Sequence, residues 1–134
     1  MAHVSIEDEA VDLETPMLVE GLPGAGLVGK IAADHLVAEL DTTYYAALYC
    51  DGLPPVATYR GEDSTLRPPV RLYAAESEGL LVLQSDVPVS PSSAPEFATC
   101  LTNWLTEKGI LPIYLSGLGG PKRGCAEPLW GCYR

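Results

Sequence analysis

The chain has 134 residues, of which 47% are hydrophobic, and its formal net charge is −10. This length and composition fit one globular domain with its own core, and the apolar runs are far shorter than the ~20 residues of a membrane span. We therefore expect no membrane partner, and because the negative charge repels phosphate backbones we expect no nucleic acid partner either.

The first 15 residues form the most acidic segment, with five acids and no base. We expect an acidic N-terminal arm or an edge segment here. The segment lacks the basic start and apolar run of a signal peptide, which predicts a cytoplasmic protein. Because lysine is rare throughout the chain, the acidity favours a halophilic cytoplasm, and an ordinary acidic surface is the alternative.

Apolar periodicity divides residues 16–120 into the elements of one α/β domain. Strands are expected at 17–19, 44–50, 56–59, 70–74, 80–83 and 110–115, and helices at 25–40 and 94–108. A polar link joins the third strand to the fourth. Two strand-helix-strand units with near-continuous apolar strands predict a mostly parallel sheet that is covered on both faces.

Each predicted helix carries apolar residues at three- and four-residue steps, which indicates a stripe packed on the sheet. In the first helix these residues are Leu27, Val28, Ile31, Ala32, His35, Leu36 and Leu40. In the second they are Phe97, Leu101, Trp104 and Leu105, and Gly109 ends that helix.

No metal site and no catalytic group is expected. The cysteines form no C-x-x-C pair and the chain has two histidines, so a zinc cluster is poorly supported. We expect Cys50 and Cys100 to be reduced core residues. Asp86 follows the strand at 80–83, at the carboxyl edge where α/β folds place ligands, but the sequence pairs no nucleophile with a base.

Residues 21–30, Gly-Leu-Pro-Gly-Ala-Gly-Leu-Val-Gly-Lys, are the one sharp motif. Gly24, Gly26 and Gly29 satisfy the G-x-G-x-x-G of a dinucleotide-binding turn, in which backbone N–H groups and a helix N-terminus approach a pyrophosphate. Asp51, after the second strand, would then hold the ribose. Pro23 is unusual in such a loop.

The same residues can be interpreted in two other ways. Gly24–Lys30 match G-x-x-x-x-G-K of a P-loop, but Ile31 stands where a Ser or Thr hydroxyl must bind magnesium, so we reject a working NTPase. In the third interpretation the glycines are architectural, because they let a strand turn sharply into a helix that lies close on the sheet.

The stretch Pro16–Leu36, which contains this turn, resembles the opening of archaeal proteasome assembly chaperone family proteins. The likeness continues through Leu53-Pro54-Pro55, through Leu80–Asp86 with its following Pro88, and through Gly109-Ile110 to Ser116-Gly117. It covers roughly residues 16–118, and residues 21–36 are its most specific part.

The resemblance implies a three-layer αβα fold related in shape to nucleoside phosphorylases, here incomplete at its C-terminal end. It implies a non-enzymatic role in building the 20S proteasome, with proteasome α-subunits as partners, a homo-oligomeric state and no cofactor. The motif residues would then shape the fold or form a protein-contact edge: Gly21, Pro23, Gly24, Gly26, Gly29, Pro54 and Pro55. The alternative is a nucleotide- or dinucleotide-binding enzyme or sensor that uses Gly24, Gly26, Gly29, Lys30 and Asp51.

Residues 121–134 differ in character from family members, which continue with further strands and helices. We interpret this tail as a reading-frame or gene-model artefact, and a natural short variant is the alternative. The chain ends Cys132-Tyr133-Arg134, which is similar to the hydrophobic-Tyr-any tripeptide with which some archaeal members bind the proteasome. Tyr133 is therefore a candidate docking residue, although chance is the favoured explanation.

Overall fold

The computed structural model describes residues 1–14 and 16–120. The strands are β1 (His3–Ile6), β2 (Met17–Gly21), β3 (Thr43–Tyr49), β4 (Thr58–Arg60), β5 (Asp63–Arg67), β6 (Val70–Ala75), β7 (Leu80–Ser85) and β8 (Leu111–Tyr114). The helices are α1 (Val28–Glu39) and α2 (Ala94–Lys108), with short 3₁₀ turns at Ala25–Leu27 and Glu76–Glu78. Neither α-helix is long and apolar enough to cross a membrane.

Six strands form one mixed sheet in the order β1-β3-β6-β7-β2-β8. β2 pairs in parallel with β7 and β8, whereas β1–β3, β3–β6 and β6–β7 are antiparallel. The α/β class is confirmed, but the prediction of a mostly parallel sheet is wrong. The short connection Glu76–Gly79 joins β6 to β7 as a hairpin, which only antiparallel strands allow. The likeness in shape to nucleoside phosphorylases stays a prediction.

The two helices cover opposite faces of this sheet. Leu81 and Leu83 of β7 lie in the hydrophobic core with Phe97, Leu101 and Leu105 of α2. Side chains of a strand alternate between the two faces of a sheet. Gln84, next to Leu83 in β7, accordingly contacts α1 on the other face. Strands β6 and β7 are therefore buried on both sides, so their continuous apolar runs do not distinguish parallel from antiparallel pairing.

Three segments differ from the expected elements. Residues 3–6 form the edge strand β1, where the His3 ring stacks on Tyr49 at 5.2 Å between centroids. The expected polar link contains β5, which pairs with β4 in a separate two-stranded hairpin. The turn of this hairpin includes Gly61 at φ 56°. Four of the five residues of β5 are polar. The segment therefore lacked the apolar pattern from which a strand is predicted.

Helix α1 does not bury the apolar stripe predicted for it. Gly29 and Ala33 are its buried residues, whereas Val28 and Ile31 are 50% and 62% exposed. The reason is the close approach of α1 to β2, where a Cβ on Gly21 would collide with the Cβ of Ala33. Small residues let the backbones meet, and larger apolar residues are turned outward.

We expect Gly29→Ala to lower the free energy of unfolding by about 1–3 kcal/mol, because a Cβ there would lie 2.6 Å from the backbone oxygen of Leu115. Gly24→Ala is the matched control, since its Cβ would meet nothing within 4 Å and its φ is an extended −154°. Gly26→Ala should cost about 1 kcal/mol from strain at φ 67°. Urea unfolding monitored by tryptophan fluorescence measures all three, and equal stability of the Gly29 and Gly24 variants would contradict the packing argument.

Candidate functional site

The glycine-rich turn leads from β2 into α1 through a tight, partly left-handed backbone. Gly26 has φ 67° and Leu27 has φ 54°, a conformation that is costly for a residue with a side chain. The Leu27 amide donates to the oxygen of Gly24 at 2.9 Å and closes the 3₁₀ turn. Lys30, one helical turn later, points into a group of charged side chains.

This group, which we call the ionic cluster, joins one helix, the hairpin and two strands. Its members are Lys30, Asp34, Arg60, Arg71, Gln84 and Asp86. The Lys30 amine donates to Asp34 at 3.0 Å and to Asp86 at 3.2 Å. Arg60 of β4 donates to the same two carboxylates, at 3.3 Å and 3.2 Å. The Lys30 amine is thus engaged by two carboxylates rather than held free for a phosphate.

Arg71 is the buried centre of the ionic cluster, with only 1% of its surface exposed. Its Nη2 donates to Asp86 at 2.6 Å and to Gln84 at 3.2 Å. Its Nη1 donates to the Pro68 carbonyl at 2.9 Å and to the Thr58 hydroxyl of β4. The Arg71 Nε has no hydrogen-bond partner among the described residues.

Gln84 links this arginine to helix α1. Its amide oxygen accepts from Arg71, and its amide nitrogen donates to Asp34 at 2.7 Å. Arg71 and Gln84 face each other in the β6–β7 register. Two polar residues inside two apolar strands were the available sequence signal, and it was missed because the two strands were not recognised as an antiparallel pair.

The pKa of Asp86 shows how strongly its positive neighbours act. Partial burial alone would raise this pKa, but the hydrogen bond and charge of Arg71, with hydrogen bonds from Lys30 and Arg60, outweigh it and lower the pKa to about 2. Asp86 does lie at the carboxyl edge of β7, where the sequence placed it. Its carboxylate is occupied by cations of the chain itself.

The residues of the dinucleotide alternative are not brought together. Strands β6 and β7 lie between β3 and β2, so Asp51, after β3, is remote from the glycine-rich turn. Its carboxylate contacts the amino group of Met1, which also contacts Glu96 of α2 at 3.3 Å. Asp51 therefore lies on the face of the sheet that α2 covers (the α2 face), whereas Lys30 lies on the face that α1 covers (the α1 face).

The remaining predicted site residues give little further geometry. Pro54 and Pro55 lie in the exposed loop before β4, and Pro23 is half-buried in the glycine-rich turn. Tyr133 and the rest of residues 121–134 lie outside the described residues. Within residues 1–14 and 16–120 there is no group of three or more His, Cys, Asp or Glu side chains that could hold a metal ion.

A second feature is an exposed apolar area beside strand β8, which we call the β8 edge surface. It comprises Leu27, Val28, Ile31, Leu111 and Ile113, all of which are exposed large hydrophobic residues. Ile113 pairs with Val19 and therefore lies on the α1 face of the sheet. The segment just after β8 reaches the start of α1, since a Cβ on Gly117 would lie 3.3 Å from the Val28 side chain.

Strand β8 is also an edge strand in the described part of the chain, because its one partner there is β2. No strand among residues 1–14 and 16–120 pairs with its outer backbone groups. An open edge flanked by exposed apolar side chains is typical of a protein-contact surface.

Comparison with known proteins connects this fold to one family. The sequence model of the PAC2 family matches residues 18–129. Uncharacterized protein MJ0106 of Methanocaldococcus jannaschii is 31% identical over 126 residues, which cover 94% of this chain and 50% of that protein. A second protein of that organism, MJ1210, is 30% identical over 117 residues, 86% of this chain and 45% of its own length.

Two solved structures from Pyrococcus furiosus share the fold. PbaA, described as an archaeal homolog of proteasome-assembly chaperone, has a TM-score of 0.73 and 28% identity, over 87% of this chain and 49% of its own. PbaB, described as an archaeal proteasome activator, has a TM-score of 0.64 and 26% identity, over 89% of this chain and 54% of its own. This chain thus spans about half the length of these relatives.

We expect Asp86→Asn to lower the free energy of unfolding at pH 7 by about 3 kcal/mol, because it leaves the buried Arg71 guanidinium without its anion. Since the pKa of Asp86 is lowered from 3.8 to about 2, the wild-type advantage is complete above about pH 4 and is lost as the pH falls towards 2. Urea unfolding of both proteins between pH 7 and pH 2 measures this convergence.

Asp63→Asn is the control for this experiment. Asp63 also pairs with an arginine, Arg67, at 3.3 Å, but its side chain is 54% exposed. Its loss should leave the unfolding free energy nearly unchanged at pH 7. A difference between Asp86→Asn and wild type that stayed constant down to pH 2 would contradict the role given to the Asp86 carboxylate.

Proposed function

The chain belongs to the PAC2 family, and on that premise we propose that it is a non-enzymatic assembly chaperone that binds 20S proteasome α-subunits. Family membership and the structural likeness to PbaA support a chaperone role. We further propose that it acts in the cytoplasm as a homo-oligomer, at the high salt that its acidic composition favours.

The observation that supports a protein contact is the exposure of the apolar residues of the β8 edge surface. Ile31 of α1 and Leu111 of β8 are each 62% exposed, and β8 has one strand partner, β2, among the described residues. A stable protein contact buries ~800 Å² on each partner, and a few well-packed residues near its centre supply most of the binding energy. The mechanism proposed is transient covering and alignment of subunit surfaces, without a chemical step.

The alternative of a nucleotide-binding enzyme or sensor gains no support from the turn. The Lys30 amine is held by Asp34 and Asp86, and Asp51 lies towards the α2 face. We therefore retain the chaperone as the one proposed function.

A pull-down with recombinant α-subunits at high salt tests both the partner and the surface. We expect the wild-type chain to retain α-subunits, and the double variant Ile31→Glu with Leu111→Glu to lose at least ~2 kcal/mol of binding energy, about thirtyfold in affinity. Leu66→Glu is the control, since Leu66 is 69% exposed on the separate hairpin strand β5.

Two outcomes would count against this proposal in different ways. Retention of α-subunits by the double variant at wild-type strength would exclude the β8 edge surface as the contact. No retention by the wild-type chain, when PbaA under the same conditions retains its own partner, would contradict the chaperone assignment for this chain.

The tail can be tested in the same assay. We expect Tyr133→Ala to bind α-subunits as the wild-type chain does, because we attribute the terminal Cys132-Tyr133-Arg134 to chance. Loss of binding in Tyr133→Ala alone would establish the tripeptide as a docking element and would contradict the artefact interpretation of residues 121–134.

A further inference from the structure

A cavity lies on the α2 face of the sheet, at the carboxyl ends of the parallel strands β2 and β8. Its volume is about 250 Å³, and α2 forms one wall, while β2, β8 and the loops after β2 and β7 form the rest. Six of its nine lining residues are apolar: Leu22, Val89, Ala94, Phe97, Ala98 and Leu101. A mostly apolar cavity with a few polar groups is the usual character of a small-molecule site.

The topology of the sheet favours a ligand at this point. β2 and β7 are parallel neighbours, and the chain leaves β2 for α1 on one face and leaves β7 for α2 on the other. Where neighbouring parallel strands diverge in this way, α/β sheets form a crevice outside their carboxyl ends, in which ligands bind. Leu22, just after β2, and Val89, in the loop after β7, both line the cavity, which therefore occupies that crevice.

Glu20 is the charged member of the nine lining residues. It lies two residues after Leu18, which packs in the core with α2, so its side chain points to the same face. Burial raises the pKa of its carboxyl group. Within residues 1–14 and 16–120, no lysine or arginine forms an ion pair with it. A partly buried carboxylate without a cation is costly, and a bound cation would offset that cost.

The two other polar residues of the cavity also suit a cation. Tyr114 lies opposite Glu20 in the β2–β8 register, and Thr102 belongs to the α2 wall. A carboxylate and two hydroxyl oxygens can each accept a hydrogen bond, and a primary ammonium group has three N–H donors. The net charge of −10 additionally attracts a cation and repels an anion.

We propose that this cavity binds a small organic amine, with its ammonium group at Glu20 and its hydrocarbon part against the apolar wall of α2. The small side chains of Ala94 and Ala98 leave room for that hydrocarbon part. The cavity is smaller than the ~300–1,000 Å³ of drug-sized sites, so the ligand has few non-hydrogen atoms. The site lies on the opposite face of the sheet from the β8 edge surface and does not depend on the proposed chaperone role.

The test is a titration of the full chain with hexylamine at constant ionic strength, observed through the methyl signals of Leu22, Val89 and Leu101 in ¹³C-¹H NMR. We expect these signals to shift and to saturate. The alcohol 1-hexanol has the same hydrocarbon chain without the charge and should bind about tenfold more weakly, since it lacks a charge-assisted hydrogen bond to Glu20. Hexanoate should bind more weakly still, because its carboxylate is repelled by that of Glu20.

Matched charge variants locate the ammonium group. Glu20→Gln should weaken hexylamine binding about tenfold and leave the Kd of 1-hexanol unchanged, because the amide keeps the shape of the side chain but not its charge. Glu107→Gln removes the same charge from the exposed last turn of α2 and should leave both constants unchanged.

Three results would each overturn the proposal: methyl signals that do not saturate with hexylamine, 1-hexanol that binds as tightly as hexylamine, or equal effects of the two variants. The comparison of hexylamine with 1-hexanol on the wild-type chain decides the question even if Glu20→Gln does not fold.

Discussion

The buried ion pair between Arg71 and Asp86 is the interaction on which the α1 face of this domain depends. A guanidinium removed from water is costly unless most of its donors meet acceptors, and both terminal nitrogens of Arg71 do so. Those acceptors come from β4, from the turn before β6, from β7 and from the residue after it. The requirement to satisfy one side chain therefore fixes the hairpin, the central strands and, through Gln84 and Asp34, helix α1 in one arrangement.

The close approach of α1 to β2 imposes a second constraint, and the two act together. Gly21, Gly29 and Ala33 bring the helix backbone against the strand, which leaves no room for large apolar side chains between them. The helix consequently presents its charged residues to the ionic cluster on one flank and its larger apolar residues to solvent beside β8 on the other. One short motif thus determines both a polar and an apolar surface.

Local patterns were sufficient to predict most elements, and tertiary contacts explain the failures. Helix α2 was predicted with its observed bounds, because its apolar period and the terminating Gly109 agree. The inward stripe of α1 failed because it was drawn through the larger apolar residues, whereas Gly29 and Ala33 form the contact face of the helix. Strand polarity failed because apolar runs report burial and not direction. The ionic cluster depended on the pairing of Arg71 with Gln84, which a single sequence does not reveal.

The antiparallel hairpin β6–β7 also bears on the order in which this domain folds. Its two strands are joined by the few residues of Glu76–Gly79, so its formation closes a very short loop and loses little chain entropy. The parallel pairing of β2 with β8 joins segments from opposite ends of the domain and carries a much larger entropic barrier. The register of β6 and β7 brings Arg71 opposite Gln84 from the outset. We therefore expect the polar centre of the α1 face to form early, before the long-range pairing of β2 with β8.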